Sequence, residues 1–298
     1  MTQNKQLSII IVNFNTGLYT VDCIDSLFKQ EDINFEIIVV DNASQDNSLV
    51  LLRENFADRI TLIESKENLG FGRANNLAAN QARGEYLLLL NPDTAIENRN
   101  ALKMMFEQLK NNAEIGLLGP AIDEPRKNKQ VLPRYSYPSS RYLKHTEKFK
   151  NLPGEIAWLL GACMLIKRSL FEEIKGFDPD YFLYGEDADI CLKVRIAGYA
   201  IEYYDSVKIT HIAGVSEFNA NSLDKWLRKK RGVFLFCAKH YDPRDVLRIA
   251  KKTIFKSNMY LGALFITSCL RRVDDVAFLD KKHRLQASII AAKEIISK

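Results

Sequence analysis

Asp93 closes a run that reads Gly84-Glu85-Tyr86-Leu87-Leu88-Leu89-Leu90-Asn91-Pro92-Asp93-Thr94. The apolar stretch from Tyr86 to Leu90 has the length and make-up of a buried strand, and it stops on an amide, a proline and a carboxylate. In an open α/β sheet, ligands bind outside the carboxyl ends of the strands. A carboxylate placed there can hold a hard cation against a diphosphate, since magnesium and manganese take oxygen donors. Closing the turn after the strand is the other reading of Asp93. His211 also follows a short strand, and an imidazole is a donor that manganese accepts; a hydrogen-bonded structural histidine is its alternative. A diphosphate-bridging cation needs few protein donors, because phosphate and water fill the rest of its shell, so Asp93 with His211 would suffice.

Further polar groups occupy comparable positions. Asp41 follows Ile37-Ile38-Val39-Val40, where it either reads a base or ribose or caps a helix through Asp41-Asn42-Ala43-Ser44. Asn13 and Asn15, after the first strand, carry the same two readings. Glu186 and Asp187 lie in Tyr181-Phe182-Leu183-Tyr184-Gly185-Glu186-Asp187-Ala188-Asp189. Carboxylates among aromatics suit general-base work, and together with Asp189 they would equally compensate a helix N-terminus. Trp158 precedes Leu159-Leu160-Gly161; its indole either stacks on a flat ligand face or fills the core. Arg73 and Arg134 are phosphate contacts or surface cations, Arg134 on a segment that would order over a ligand.

These residues need a scaffold that brings strand ends together. Leu7 to Val12, Phe35 to Val40, Ile60 to Glu64 and Tyr86 to Leu90 read as strands. They alternate with helical spacing over Tyr19 to Gln30, Ser48 to Phe56, Arg73 to Ala82 and Asn100 to Lys110. Near-continuous apolar strands alternating with helices predict βαβ units and a mostly parallel sheet covered on both faces. Gly116 to Pro120 continues the sheet, Ala121 to Arg141 reads as a mobile loop rich in Pro, Lys, Asn and Ser, and Ala157 to Ile166 returns to the sheet. A short helix over Ser169 to Ile174, another over Asp187 to Gly198, and short strands at Ile201 to Tyr204 and Lys208 to Thr210 follow. The expected organisation is an α/β domain over residues 1–215 and a basic helical region over 216–298.

Composition fits an ordinary globular protein: 298 residues, 47% hydrophobic, 27% charged. Cys23, Cys163, Cys191, Cys237 and Cys269 are odd in number and include no CxxC pair, which points to packed thiols in a reducing compartment rather than disulfides or structural zinc. The N-terminal residues lack a signal-peptide pattern, and no stretch reaches the roughly 18–20 apolar residues of a membrane span; a cytoplasmic protein is expected. The net charge of +5 gathers in Lys225-Trp226-Leu227-Arg228-Lys229-Lys230-Arg231, in Arg248, Lys251, Lys252 and Lys256, and in Arg271-Arg272 and Lys281-Lys282. Basic clusters interleaved with Trp226, Phe234, Phe236 and Tyr260 fit an anionic membrane surface or a solvated helix face. No nucleic-acid motif accompanies them.

Five motifs then match one family in order and spacing. They are Asp41-Asn42-Ala43-Ser44 with Asp46; Asn68-Leu69-Gly70-Phe71-Gly72-Arg73-Ala74-Asn75-Asn76; Leu90-Asn91-Pro92-Asp93; Tyr184-Gly185-Glu186-Asp187-Ala188-Asp189; and His211 with Gly214. Over residues 7–215 the chain resembles the inverting family 2 glycosyltransferases of the GT-A fold, on their rhamnosyltransferase-like branch. Asn91-Pro92-Asp93 takes the place of the family's DxD motif, with Asn for the first Asp, which leaves Asp93 as the main carboxylate ligand. The resemblance implies that Asp41 contacts the nucleotide base, with Asn13, Asn15, Gly70, Arg73 and Asn91 on the same nucleotide side. Asp93 and His211 would hold Mg²⁺ or Mn²⁺ against the diphosphate of a dTDP- or UDP-sugar. Asp187 would deprotonate the acceptor hydroxyl, with Glu186 beside it, and Trp158 and Arg134 would face the acceptor. The implied reaction moves a sugar, L-rhamnose from dTDP-rhamnose in the first instance, to a cell-surface glycan or a polyprenyl-diphosphate-linked acceptor at the inner membrane face. UDP-galactose or UDP-glucose as donor is the alternative. A nucleotidyltransferase would want a Gly-rich basic loop where Asn13-Phe14-Asn15-Thr16 stands, and an inactive carbohydrate- or lipid-binding module is the rival from outside enzymology.

Overall fold

Strand β1 (Leu7–Asn13) is buried along its whole length, and its neighbours explain why. It pairs in parallel with β2 (Phe35–Asp41) on one side and β4 (Tyr86–Leu90) on the other, and β3 (Thr61–Glu64) extends the parallel set beyond β2. The computed structural model describes residues 5–212, 221–271 (backbone only over 267–271) and 276–297. Gly214, Arg272, the side chain of Cys269 and the expected boundary at 215/216 lie outside the described residues.

Those residues divide into two compact units. The first comprises 5–136, 152–182 and 186–212. Its sheet runs β3-β2-β1-β4-β8-β6-β9-β5, with β7 paired to β6; here β5 is Thr94–Ala95, β6 Ile115–Glu124, β7 Lys129–Val131, β8 Cys163–Lys167 and β9 Ala200–His211. Most of the paired register is parallel, β6 with β9 included, while β8 enters antiparallel between β4 and β6.

Both faces of the sheet are covered, so successive strand residues feed two cores. Ile9, Ile11, Val39 and Leu88 pack with Cys23, Ile24 and Leu27 of α1 (Gly17–Leu27), Leu52 and Phe56 of α2 (Ser48–Phe56), and Met105 and Phe106 of α4 (Ala101–Asn111). Ile10, Ile38, Val40, Leu87 and Leu89 face Ala74 and Ala78 of α3 (Phe71–Ala79), Leu170 and Phe171 of α5 (Arg168–Glu173), and Ile190, Cys191 and Val194 of α6 (Glu186–Ile196). Each such fully buried aliphatic side chain is worth roughly 1.5–3 kcal/mol. Two-sided burial is why these strands read as unbroken apolar runs rather than alternating ones.

The second unit comprises 137–151, 183–185 and the described residues from 221 onward. Helices α7 (Ser222–His240) and α8 (Pro243–Arg271) both pack on α9 (Val276–Ile296). Tyr137 stacks on Phe236 with centroids 5.6 Å apart. Buried Asp245 accepts the backbone N–H groups of Lys144, His145 and Thr146. Among the described residues, no helix is long and apolar enough to cross a membrane. Cys23, Cys163, Cys191 and Cys237 are buried and unpaired; burial pushes the thiols of Cys23 and Cys237 up to about 12, as befits packing groups rather than nucleophiles.

Three expectations about local structure need correction, and one element is added. Residues 121–124 belong to β6 and 129–131 form β7, so part of the expected loop is sheet. Pro125, Lys127 and Asn128 mark only the turn between them, where Asn128 takes a left-handed conformation. The strand expected over Ala157 to Ile166 starts only at Cys163; the preceding residues run irregularly, with Trp158 bridging to Arg134. The two short strands after Tyr199 are one, β9, interrupted by an irregularity opposite the Pro120–Ala121 step. Finally, Thr94–Ala95 forms a short strand, unforeseen in the sequence, because it finds Thr210 and His211 as partners.

Candidate active site

The parallel register sets Asn13 opposite Asp41, at the carboxyl ends of β1 and β2. Asn13 Nδ2 donates to Asp41 Oδ1 at 2.7 Å and to Ser44 Oγ at 3.0 Å. Its Oδ1 accepts from the hydroxyls of Thr16 (2.8 Å) and Thr20 (2.7 Å). An Asn amide has two donors and two acceptor positions, and all four are engaged here, so the part of Asn13 is to hold Asp41. Asp41 Oδ2 accepts from the Ser44 backbone, which leaves acceptor capacity on both carboxylate oxygens. The cap of α2 is Asn47 rather than Asp41. Asn15 adopts a left-handed conformation, φ 53°, and accepts the Gln45 N–H at 2.7 Å.

Asn42 ties this corner to the loop before α3: its Nδ2 donates to Asn68 Oδ1, and its Oδ1 accepts the Leu69 N–H. Gly70, at φ +79°, lies against Phe182, where any β-carbon would overlap the Phe182 carbonyl. That same carbonyl accepts the Phe71 N–H at 3.0 Å. Gly70 therefore permits a close chain approach. Arg73 is exposed and its Nε donates to the Pro179 carbonyl at 2.7 Å.

Asn91, Asp93, His211 and Glu124 converge from three strand ends. Pairing of Thr94 with His211 and the bond from Ile212 N to Asp93 O at 2.9 Å fix the approach. His211 Nε2 lies 3.2 Å from Asp93 Oδ1 and 3.3 Å from Asn91 Nδ2. Its Nδ1 faces Glu124 Oε1 at 3.6 Å. Asp93, His211 and Glu124 are all buried. Burial acts to raise the Glu124 carboxyl, but hydrogen bonds and charge from Lys127 and Lys129 outweigh it and hold it below the usual carboxylate range. Sequence reasoning missed Glu124, because the Pro125-Arg126-Lys127-Asn128 that follows it marks a loop rather than a strand end.

Glu186, Asp187 and Asp189 occupy the first turn of α6, with Lys193 and Arg195 in the last, so dipole compensation is met. Glu186 is buried and Asp187 half-buried; Asp187 Oδ1 accepts the Ala188 N–H. One short segment connects this turn to the Asp93 motif. Asn91 N donates to Ala162 O at 2.9 Å, and a β-carbon on Gly161 would stand 3.3 Å from Asp187 Cβ. Upstream on that segment, Trp158 and Arg134 are joined by backbone bonds, Arg134 N to Trp158 O at 2.9 Å, with the guanidinium 6.0 Å from the indole centroid. The indole is half-buried and its Nε1 donates to Ser136 O.

Comparisons with known proteins agree with this architecture. The chain is a glycosyltransferase: residues 8–175 match the model described as Glycosyl transferase family 2, and residues 134–283 match Glycosyl transferase family group 2. The first of these covers more than half of the chain, which belongs to glycosyl transferase family 2, on its rhamnosyltransferase-like side. It is 23% identical over 240 residues to N-acetylglucosaminyl-diphospho-decaprenol L-rhamnosyltransferase of Mycobacterium tuberculosis, covering 69% of this chain and 75% of that protein. It is 28% identical over 225 residues to rhamnosyltransferase WbbL of Escherichia coli, covering 69% and 83%. Its fold is that of the mannosyltransferase PcManGT from Pyrobaculum calidifontis, solved with GDP-Man and Mn²⁺, at a TM-score of 0.60 and 18% identity over 99% of this chain and 88% of that one. Against S. aureus TarS the TM-score is 0.56 at 19% identity over 77% of this chain, which spans only 39% of that one.

Proposed function

We propose that the protein transfers a sugar, L-rhamnose from dTDP-rhamnose as first choice, to a hydroxyl of a cell-surface glycan or a polyprenyl-diphosphate-linked oligosaccharide, with inversion at the anomeric carbon. The observation that carries this reading is the convergence of Asp93 and His211, at strand ends, with Asp187 one short segment away. The relatives named as rhamnosyltransferases support the sugar, and the decaprenol-linked substrate in one of their names supports the acceptor class. A UDP-sugar such as UDP-galactose or UDP-glucose is the second reading, favoured by TarS, which was solved with UDP.

The residues present fit a divalent cation. Two ligands at right angles on Mg²⁺, each at about 2.1 Å, stand about 3 Å apart, which is the separation between Asp93 Oδ1 and His211 Nε2. An oxygen with an imidazole nitrogen is a donor set that Mn²⁺ accepts. Asp93 and His211 would hold the ion, and when bound it neutralises charge on the departing nucleoside diphosphate. Asp41, held by Asn13 and Ser44, contacts the base; Asn15, Gly70, Arg73 and Asn91 shape the same side. Asp187 takes the acceptor hydroxyl proton while the new oxygen–carbon bond forms opposite the leaving group, and the bond from the anomeric carbon to the phosphate oxygen breaks with its electron pair going to the diphosphate. Glu186 flanks Asp187, and Trp158 and Arg134 face the acceptor.

The C-terminal unit is the membrane-facing part of this reading, at the cytoplasmic face. On α8, Phe255, Met259 and Ile266 are exposed at helical spacing, next to exposed Lys251, Lys252 and Lys256. An apolar stripe among lysines complements an anionic lipid surface, each lysine contributing about 1 kcal/mol near it. Sedimentation with vesicles containing phosphatidylglycerol, lost on Phe255→Asp with Met259→Asp, tests this part.

The whole reading is tested by incubating the protein with dTDP-rhamnose, UDP-galactose or UDP-glucose and Mn²⁺, and following nucleoside diphosphate release. Release from dTDP-rhamnose alone is expected. Release from a UDP-sugar alone would move the donor to the second reading, and none from any donor would leave a binding module.

A further inference from the structure

His211 has two ring nitrogens, and only one of them serves the cation proposed above. Nε2 faces Asp93 and Asn91. Nδ1 points the other way; it is buried and has no hydrogen-bond partner. Opposite it, at 3.6 Å, stands Glu124 Oε1, on the last residue of β6. From there, closing by about 0.5 Å reaches hydrogen-bond distance.

The carboxylate is itself fixed. Its side chain is buried, Lys127 Nζ donates to both of its oxygens at 3.1 Å, and Lys129 Nζ lies 3.2 Å from Oε2. A nitrogen lone pair turned toward this anion would be repelled, whereas an N–H would be attracted. The donor Asn91 Nδ2, at 3.3 Å from Nε2, favours the same assignment, with Nε2 as acceptor. A ligating imidazole usually gives its second N–H to a carboxylate or carbonyl, which orients the ring and raises its basicity.

We propose that Glu124 is a positioning residue: it accepts the Nδ1–H of His211 and so holds the ring in the tautomer whose Nε2 lone pair is turned to the Asp93 side. This rests on the cation reading of Asp93 and His211, and Glu124 touches neither substrate nor cation.

The test uses the full chain as wild type, Glu124→Gln, Glu124→Ala and His211→Ala. Mn²⁺ affinity is read by electron paramagnetic resonance, and the His211 tautomer by ¹⁵N shifts in metal-free protein. Glu124→Gln keeps an acceptor oxygen without the charge. The proposal expects it to bind Mn²⁺ within about threefold of wild type, while Glu124→Ala binds about 10- to 100-fold more weakly and shows a mixed tautomer. Equal weakening in both variants would indicate a field effect of the lost charge and overturn the proposal. So would an unchanged tautomer in Glu124→Ala. Wild type that binds no Mn²⁺, or binding unaltered in His211→Ala, would remove the cation reading itself. The ¹⁵N measurement still decides the Glu124–His211 contact in that case. Melting of each variant controls for folding.

Discussion

Gly161 and Asp187 are so close that a methyl group on the glycine would stand 3.3 Å from the aspartate Cβ. The segment carrying Gly161 also accepts the Asn91 N–H through Ala162, so one stretch of chain spaces the proposed base from the proposed cation site. Gly161→Ala should displace Asp187 by a few tenths of an ångström. Since a misplacement of about 1 Å costs roughly 10²-fold, kcat should fall about three- to tenfold with little change in donor KM. Steady-state kinetics on a folded variant checks this.

Replacing the base isolates the chemical step. Asp187→Asn keeps the shape of a half-buried side chain in the first turn of α6 and removes its ability to take a proton. Transfer should slow by about 10²- to 10⁴-fold, with the donor Kd within a factor of about two. Single-turnover transfer alongside calorimetric donor binding separates the two quantities.

Gly70→Ala should damage stability before chemistry. The residue combines φ +79° with contact against the Phe182 carbonyl, so a β-carbon meets both backbone strain and overlap. A loss of about 1–3 kcal/mol is expected, read as a lower denaturant midpoint at unchanged slope. A variant as stable as wild type would mean that the segment around Phe182 yields freely.

Asp93 and His211 were legible because each follows a stretch that reads as a strand, and a strand's carboxyl end is visible in one sequence. Glu124 was not. It is followed by Pro125-Arg126-Lys127-Asn128-Lys129, a composition that signals a loop, and what makes it sheet is pairing with Lys129 and the neighbouring pair Asp123 with Thr210. A partner as distant along the chain as Thr210 leaves no local mark. Asn13 was legible as a polar strand end, but its role lay in Thr16 and Thr20, whose spacing brings both hydroxyls onto its amide oxygen. The alternation of strands and helices up to Lys110 was plain; the single β9 was hidden by the polar residues at its irregular step.

Asp245 predicts a pH response in the C-terminal unit. Burial acts to raise its carboxyl, and hydrogen bonds from the His145 backbone, the Thr146 hydroxyl and the Lys144 and Thr146 backbones outweigh it, holding it well below the usual range. A depressed folded pKa contributes stability that is full above the unfolded value of about 3.9 and is lost as pH falls through the folded one. Wild type should therefore melt progressively lower below about pH 4. Asp245→Asn should be on the order of 2 kcal/mol less stable at pH 7 and should show a shallower acid decline. Melting curves from pH 7 to pH 2 compare the two.

If Asp93 and His211 hold a cation against a nucleoside diphosphate, nucleotide binding should require both the ion and the Asp93 carboxylate. Melting of wild type and Asp93→Ala with dTDP, each with and without Mn²⁺, tests it most directly. A ligand that binds only the folded state stabilises by about 2.7 kcal/mol at a hundred times its Kd. In wild type, Tm should rise with dTDP only when Mn²⁺ is present, and in Asp93→Ala no rise should occur. A rise that is the same without Mn²⁺, or that survives in Asp93→Ala, would contradict it.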